Sequence, residues 1–138
     1  MKKSVRILAA GAACLAALGL SGVVADAASA THYSGCVWNA ACLYYSPSQA
    51  GSASSWDGAK TSYGSQNFLS AGAGQGQNVA NNAASGWDTH ASYHLRVYVD
   101  TNYGGYSQIM NPLYTSGDTI NFNTTLRNDN DSHRFTLS

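Results

Sequence analysis

Three observations predict an all-β fold built from a duplicated unit. Apolar and polar residues alternate with a period of two through the second half of the chain. Glycine turns interrupt it at short intervals, and an aromatic, a glycine turn and a later Asn-rich corner occur twice in that order. No window carries a sustained helical period with caps, so helices are not expected.

The first thirty residues read as a secretory signal peptide. Lys2, Lys3 and Arg6 precede an apolar run from Ile7 to Leu20, and Ala28-Ser29-Ala30 supplies small residues for cleavage. The run is too short to anchor the chain in a membrane. Residues 31–138 then form one domain of ordinary size. Cys14 leaves with the signal, and in an exported chain the remaining Cys36 and Cys42 read as a disulfide closing a small loop.

Within the domain, Cys42 to Tyr45 is strand-like and Asn67-Phe68-Leu69 is a shorter candidate. Residues 51–65 and 71–77 are rich in Gly, Ser, Ala and Gln and read as loops. Leu95, Val97 and Val99 alternate with His94, Arg96 and Tyr98, which predicts a half-buried strand. Gln108 to Met110 gives a short strand between Gly104-Gly105 and Pro112. Ile120, Phe122, Thr124 and Leu126 predict another, opened by the turn Ser116-Gly117-Asp118, and Phe135 with Leu137 a closing one. Four short strands at this spacing predict a Greek key.

Composition excludes several functions. The cations of 31–138 are Lys60, Arg96, Arg127 and Arg134, against Asp57, Asp88, Asp100, Asp118, Asp129 and Asp131; four minus six gives −2. Nothing there neutralises a phosphate backbone, so neither nucleic acid nor membrane is an expected partner. His90 and His94 have zinc-like spacing but no helix and no Glu between them, so they read as surface histidines. Gly72-Ala73-Gly74-Gln75-Gly76 has no Lys and reads as a loop rather than a phosphate cradle. With no nucleophile elbow and no free thiol, an enzyme is not expected. Trp56 and Tyr63, in loop positions, are the candidates for exposed aromatic contacts with a partner.

The duplication is visible without gaps: Leu43, Tyr44 and Gly51 align with Val97, Tyr98 and Gly105. Asn81 follows Tyr44 by 37 residues and Asn128 follows Tyr98 by 30, the difference lying in the loop-rich first half.

Tyr98, Tyr103 and Gly105 resemble the hairpin signature of the βγ-crystallin Greek-key superfamily. Tyr44 and Gly51 repeat it with Gln49 at the second aromatic place. The resemblance implies a two-key sandwich, with a first key over about 36–88 and a second over about 93–138. Asn81-Asn82-Ala83-Ala84-Ser85 and Asn128-Asp129-Asn130-Asp131-Ser132 resemble that superfamily's calcium corners, with Gly86 and His133 where a final Ser belongs. It implies calcium held by Asn82, Ser85, Asp129 and Ser132, weakly, because only Asp129 is charged. The alternative for both corners is turn capping by Asn, Asp and Ser.

Together with Cys36, Cys42-Leu43-Tyr44 and Asn102-Tyr103-Gly104-Gly105, the chain resembles a branch of secreted actinobacterial metalloproteinase inhibitors. That resemblance implies a secreted, extracellular, monomeric inhibitor whose partner is a secreted protease and which acts by loop insertion. Ser46 to Gln66 and Ala71 to Gln77 are the candidate loops, and no reactive bond is assigned. The alternatives are a calcium-binding structural or stress protein without a protease target, and a secreted toxin or cell-surface binder.

Overall fold

A computed structural model describes residues 35–137; the predicted signal segment and Cys14 lie outside them. The strands are β1 (Ala41–Ser46), β2 (Ala50–Trp56), β3 (Ser85–Asp88), β4 (His94–Tyr98), β5 (Ser107–Met110), β6 (Thr119–Asn121) and β7 (Ser132–Thr136), with one 3₁₀ turn at Thr101–Tyr103. They form two antiparallel sheets, ordered β2-β1-β3-β6 and β5-β4-β7. The halves interlock. β6 joins the first sheet with Ile120 opposite Gly86, while Lys60 crosses to pair with His133 on β7. This crossing makes the fold an all-β, two-Greek-key sandwich.

The core follows from the alternation. Leu43 on β1 and Leu95 and Val97 on β4 turn inward, and Phe68, Val79, Met110, Phe122 and Leu126 complete the cluster. Gly86 lets the sheets close: a Cβ there would stand 2.9 Å from the Met110 side chain and 3.1 Å from Phe122. Asn130 is wholly buried, and its amide donates at 2.8 Å to the carbonyls of Ala83 and Leu126. A buried amide satisfied in this way ties the second corner to the first.

The duplication extends to single backbone angles. Ser48, Gln49 and Gly51 have φ of 58°, 56° and 76°, and Asn102, Tyr103 and Gly105 have 55°, 64° and 71°. Non-glycine residues enter this left-handed region at a cost. Both hairpins therefore need their tertiary contacts to hold them. The corners also bond each other reciprocally: Asn81 N–H donates to the Asn130 carbonyl at 2.7 Å, and Asn128 N–H to that of Ala83 at 2.9 Å.

Three expectations are corrected. The segment 51–65, read as loop, begins as strand β2. Its Ser52, Ala53 and Ser54 are buried because the chain at 67–73 covers that edge: Ser54 Oγ donates to the Asn67 carbonyl and Ser52 N–H to that of Ala73. Small residues are what such a crowded edge admits. The strand predicted through Leu126 stops at Asn121. Asn123 Oδ1 caps the N–H groups of Thr125 and Leu126 at 3.1 Å, turning the chain so that Phe122 and Leu126 enter the core four residues apart. Asn67–Leu69 contributes only an isolated bridge, Asn67 to Asn78.

Candidate functional site

The predicted hairpin residues do what their types suggest. The Tyr98 and Tyr103 rings lie 5.9 Å apart, over a turn that Gly105 completes. Tyr44 is buried in β1, and Gln49 replaces a ring with hydrogen bonds, its amide donating to the Gly86 carbonyl at 3.3 Å.

Ser85 and Ser132 brace these hairpins. Ser85 Oγ donates to the Ser46 carbonyl at 2.7 Å and accepts from Gln49 N–H at 3.0 Å. Ser132 Oγ donates to the Asp100 carbonyl at 2.6 Å and accepts from Tyr103 N–H at 3.0 Å. Both serines are fully buried. The Asn82 amide nitrogen bonds Gln77 Oε1 and the Asn78 carbonyl, and Asp129 is exposed.

This donor set fits calcium poorly. Calcium takes six to eight oxygens, whereas both serine hydroxyls are already engaged with backbone. His133, in the sixth corner position, turns its imidazole inward: Nδ1 lies 2.7 Å from Tyr63 Oη and Nε2 2.9 Å from the Gly58 carbonyl. Burial pulls the His133 pKa down to about 4 and pushes that of Tyr63 well above its ordinary value. Among the described residues no three His, Cys, Asp or Glu side chains gather as metal ligands.

The aromatic surface lies elsewhere than expected. Tyr63 is fully buried, and Trp56 stacks on it at 5.4 Å, so neither is a free contact residue. Trp38 (64%) and Tyr114 (82%) are the most exposed rings among the described residues, ahead of Tyr106 and Tyr93, and Val37 beside them is 56% exposed. Trp38 packs 6.4 Å from Trp87 and 6.4 Å from Tyr114, and together with Cys36, Val37 and Thr89 these rings line a cleft of about 390 Å³.

That exposed segment is held firmly. The Cys36–Cys42 disulfide closes it, with Cα atoms 5.6 Å apart. Thr89, after β3, grips it from below: its hydroxyl accepts from Ala40 N–H at 2.9 Å and donates toward the Val37 carbonyl at 2.7 Å. Asn39 N–H bonds the Thr89 carbonyl, and Thr89 N–H that of Ala40. Next to Thr89, the buried Asp88 carboxylate accepts from His90 and Leu95 N–H at 2.8 Å each. Burial pushes its pKa up to about 7, with Asp118 adding to the rise. The Tyr114 turn is fixed to the chain just after Thr89 by Leu113 N–H donating to the His90 carbonyl.

Sequence reasoning did not reach Thr89 or Tyr114. A Val-Trp pair inside a small covalent loop was the available sign for Trp38, since a ring so short has no interior to bury an indole.

The two sheets, the crossing of β6 into the first of them and the paired hairpins give a βγ-crystallin-type fold. A chain solved in work on the evolution of the eye-lens βγ-crystallin domain fold is similar, with TM-score 0.56 and 11% identity over 75% of this chain and 91% of that one. At that identity the likeness concerns the fold. The model of peptidase inhibitor family I36 matches residues 29–110, and the chain belongs to that family. Its members inhibit peptidases and are not enzymes. No curated protein matched.

Proposed function

We propose that this protein is a secreted, monomeric inhibitor of a metalloprotease, acting by insertion of the disulfide-closed segment bearing Val37 and Trp38. One observation carries the choice of segment: two apolar side chains stand more than half exposed on backbone fixed by a disulfide and by Thr89. Exposed apolar groups on fixed backbone bind with little ordering cost. The cleft beside Trp38 gives the protease rim an apolar surface to cover.

The same geometry supports resistance to cleavage. A zinc protease works by polarising the carbonyl it attacks. The Val37 carbonyl is already turned to Thr89 Oγ1, so the Val37–Trp38 bond offers its side chains while its oxygen is held by the scaffold.

The loops predicted from composition suit this role less. Within Ser46–Gln66, Ala50–Trp56 is strand β2. Residues 71–77 lie against β1 and β2, with Gly74 on the Tyr45 ring so closely that a Cβ would stand 2.2 Å from it. That loop presents Ala, Gly and Gln, which fill no pocket. The disulfide favours an oxidising compartment and supports the secretory reading.

Titration of a thermolysin-like metalloprotease with the purified protein tests the proposal. Activity should fall in proportion to inhibitor added and stop at equimolar ratio. Digestion of the protein, or indifference of the protease at micromolar concentration, would overturn it.

A further inference from the structure

The second sheet presents an outer face that the inhibitor reading leaves unused. With Leu95 and Val97 inward, His94, Arg96 and Tyr98 of β4 point the other way. Arg134 on β7 is the direct cross-strand partner of Arg96. Like charges placed directly opposite across a ladder are unfavourable. Here two of the four cations of residues 31–138 occupy that arrangement.

Neither arginine is neutralised by a carboxylate among the described residues. Arg96 Nη1 donates to Ser107 Oγ at 3.1 Å, and Arg134 Nε to Tyr98 Oη at 2.8 Å. The Arg134 guanidinium stands 5.5 Å and 5.4 Å from the Tyr98 and Tyr103 ring centres. These contacts fix the direction of both groups and leave N–H donors over. His94 Nδ1, on the same face, is buried with no hydrogen-bond partner. The residues surround a groove of about 540 Å³ with exposed Ile109 and Leu137 on its apolar rim.

We propose that this face binds an acidic peptide segment of a protein partner. A carboxylate enters between Arg96 and Arg134, relieving their repulsion, and a neighbouring apolar side chain rests on Ile109. Guanidinium forks match the planar carboxylate. The apolar rim selects a peptide over a bare inorganic anion. The inference stands independently of the protease reading, because it uses a different sheet and different residues.

The test is a titration of the purified protein, with ¹⁵N arginine side-chain signals observed at about 50 mM salt, where charge pairing is little screened. The probes are the blocked peptide Gly-Glu-Leu-Glu-Gly, its Gln-for-Glu counterpart and inorganic phosphate. The Glu peptide should shift the Arg96 and Arg134 signals saturably, and the Gln peptide should bind at least about tenfold more weakly. Arg134→Gln and Arg96→Gln should each lose about tenfold in affinity, and Arg96→Gln should melt no lower than the parent. Equal binding of both peptides, or response to phosphate alone, would overturn the proposal. So would a lowered melting temperature of Arg96→Gln together with unchanged binding, since the pair would then be structural.

Discussion

The Thr89 hydroxyl reaches the Val37 carbonyl at 2.7 Å across 52 residues, joining the residue that follows β3 to the exposed disulfide loop. Thr89 is itself 2% exposed, so the contact is sheltered from water. The Ala40 carbonyl offers the same hydroxyl a longer contact at 3.0 Å.

Thr89→Val keeps the shape and removes the hydroxyl. The Val37 carbonyl is then free for the protease metal, and the loop loses a tether. Inhibition should become transient, with cleavage between Val37 and Trp38 detected by mass spectrometry over hours. Stability should fall by about 1–3 kcal/mol, because Ala40 N–H loses its acceptor. Unchanged, lasting inhibition by the variant would remove Thr89 from the mechanism.

Ser85→Ala and Ser132→Ala should each cost about 1–3 kcal/mol, since each leaves a hairpin N–H and a carbonyl without their buried partner. Chemical denaturation with and without millimolar calcium separates bracing from metal binding. The loss should be the same in both. A loss confined to the calcium-containing samples would restore the corners as an ion site.

Two buried groups give opposite pH dependence. His133, with its pKa lowered to about 4, leaves the unfolded chain binding more protons between that value and 6.5; its stabilisation, about 3 kcal/mol, is full above 6.5 and is lost as pH falls. Asp88, raised from 3.8 to about 7, stabilises fully below 3.8 and loses that contribution as pH rises towards 7. Melting temperature should therefore vary little between these limits in the parent. It should rise with pH in Asp88→Asn and fall with pH in His133→Gln. Parallel profiles for all three proteins would show that neither group titrates as its burial implies.

What could be read from sequence depended on whether local chemistry decided the outcome. The Leu95-Arg96-Val97 alternation gave β4, because one face of that strand meets the core and the other meets solvent. Tyr98, Tyr103 and Gly105 gave the hairpin, since a positive φ and ring packing are demanded within a few residues. β2 was hidden because its burial comes from residues 67–73, which pack on small side chains that locally resemble a loop. The family resemblance implies Ser85 and Ser132 as metal ligands, and in the structure each closes a hairpin about 30 or more residues earlier. Their residue type allows either role. Trp56 and Tyr63 are not free contact residues for a related reason: Tyr63 is buried and stacks with His133, from the far end of the chain, and the partly buried Trp56 tilts against the same ring.

The central claim is that Val37 and Trp38 face the protease. Its most direct measurement compares inhibition constants of Val37→Asp, Trp38→Ala and Leu69→Ala against one thermolysin-like metalloprotease. Leu69 serves as the control because it is 75% exposed beside the rival loop. Val37→Asp and Trp38→Ala should each weaken inhibition at least about 30-fold, the scale of an interface hot spot, while Leu69→Ala stays near the parent. Inhibition that survives both changes in the disulfide loop, or that is lost with Leu69→Ala, would contradict the account.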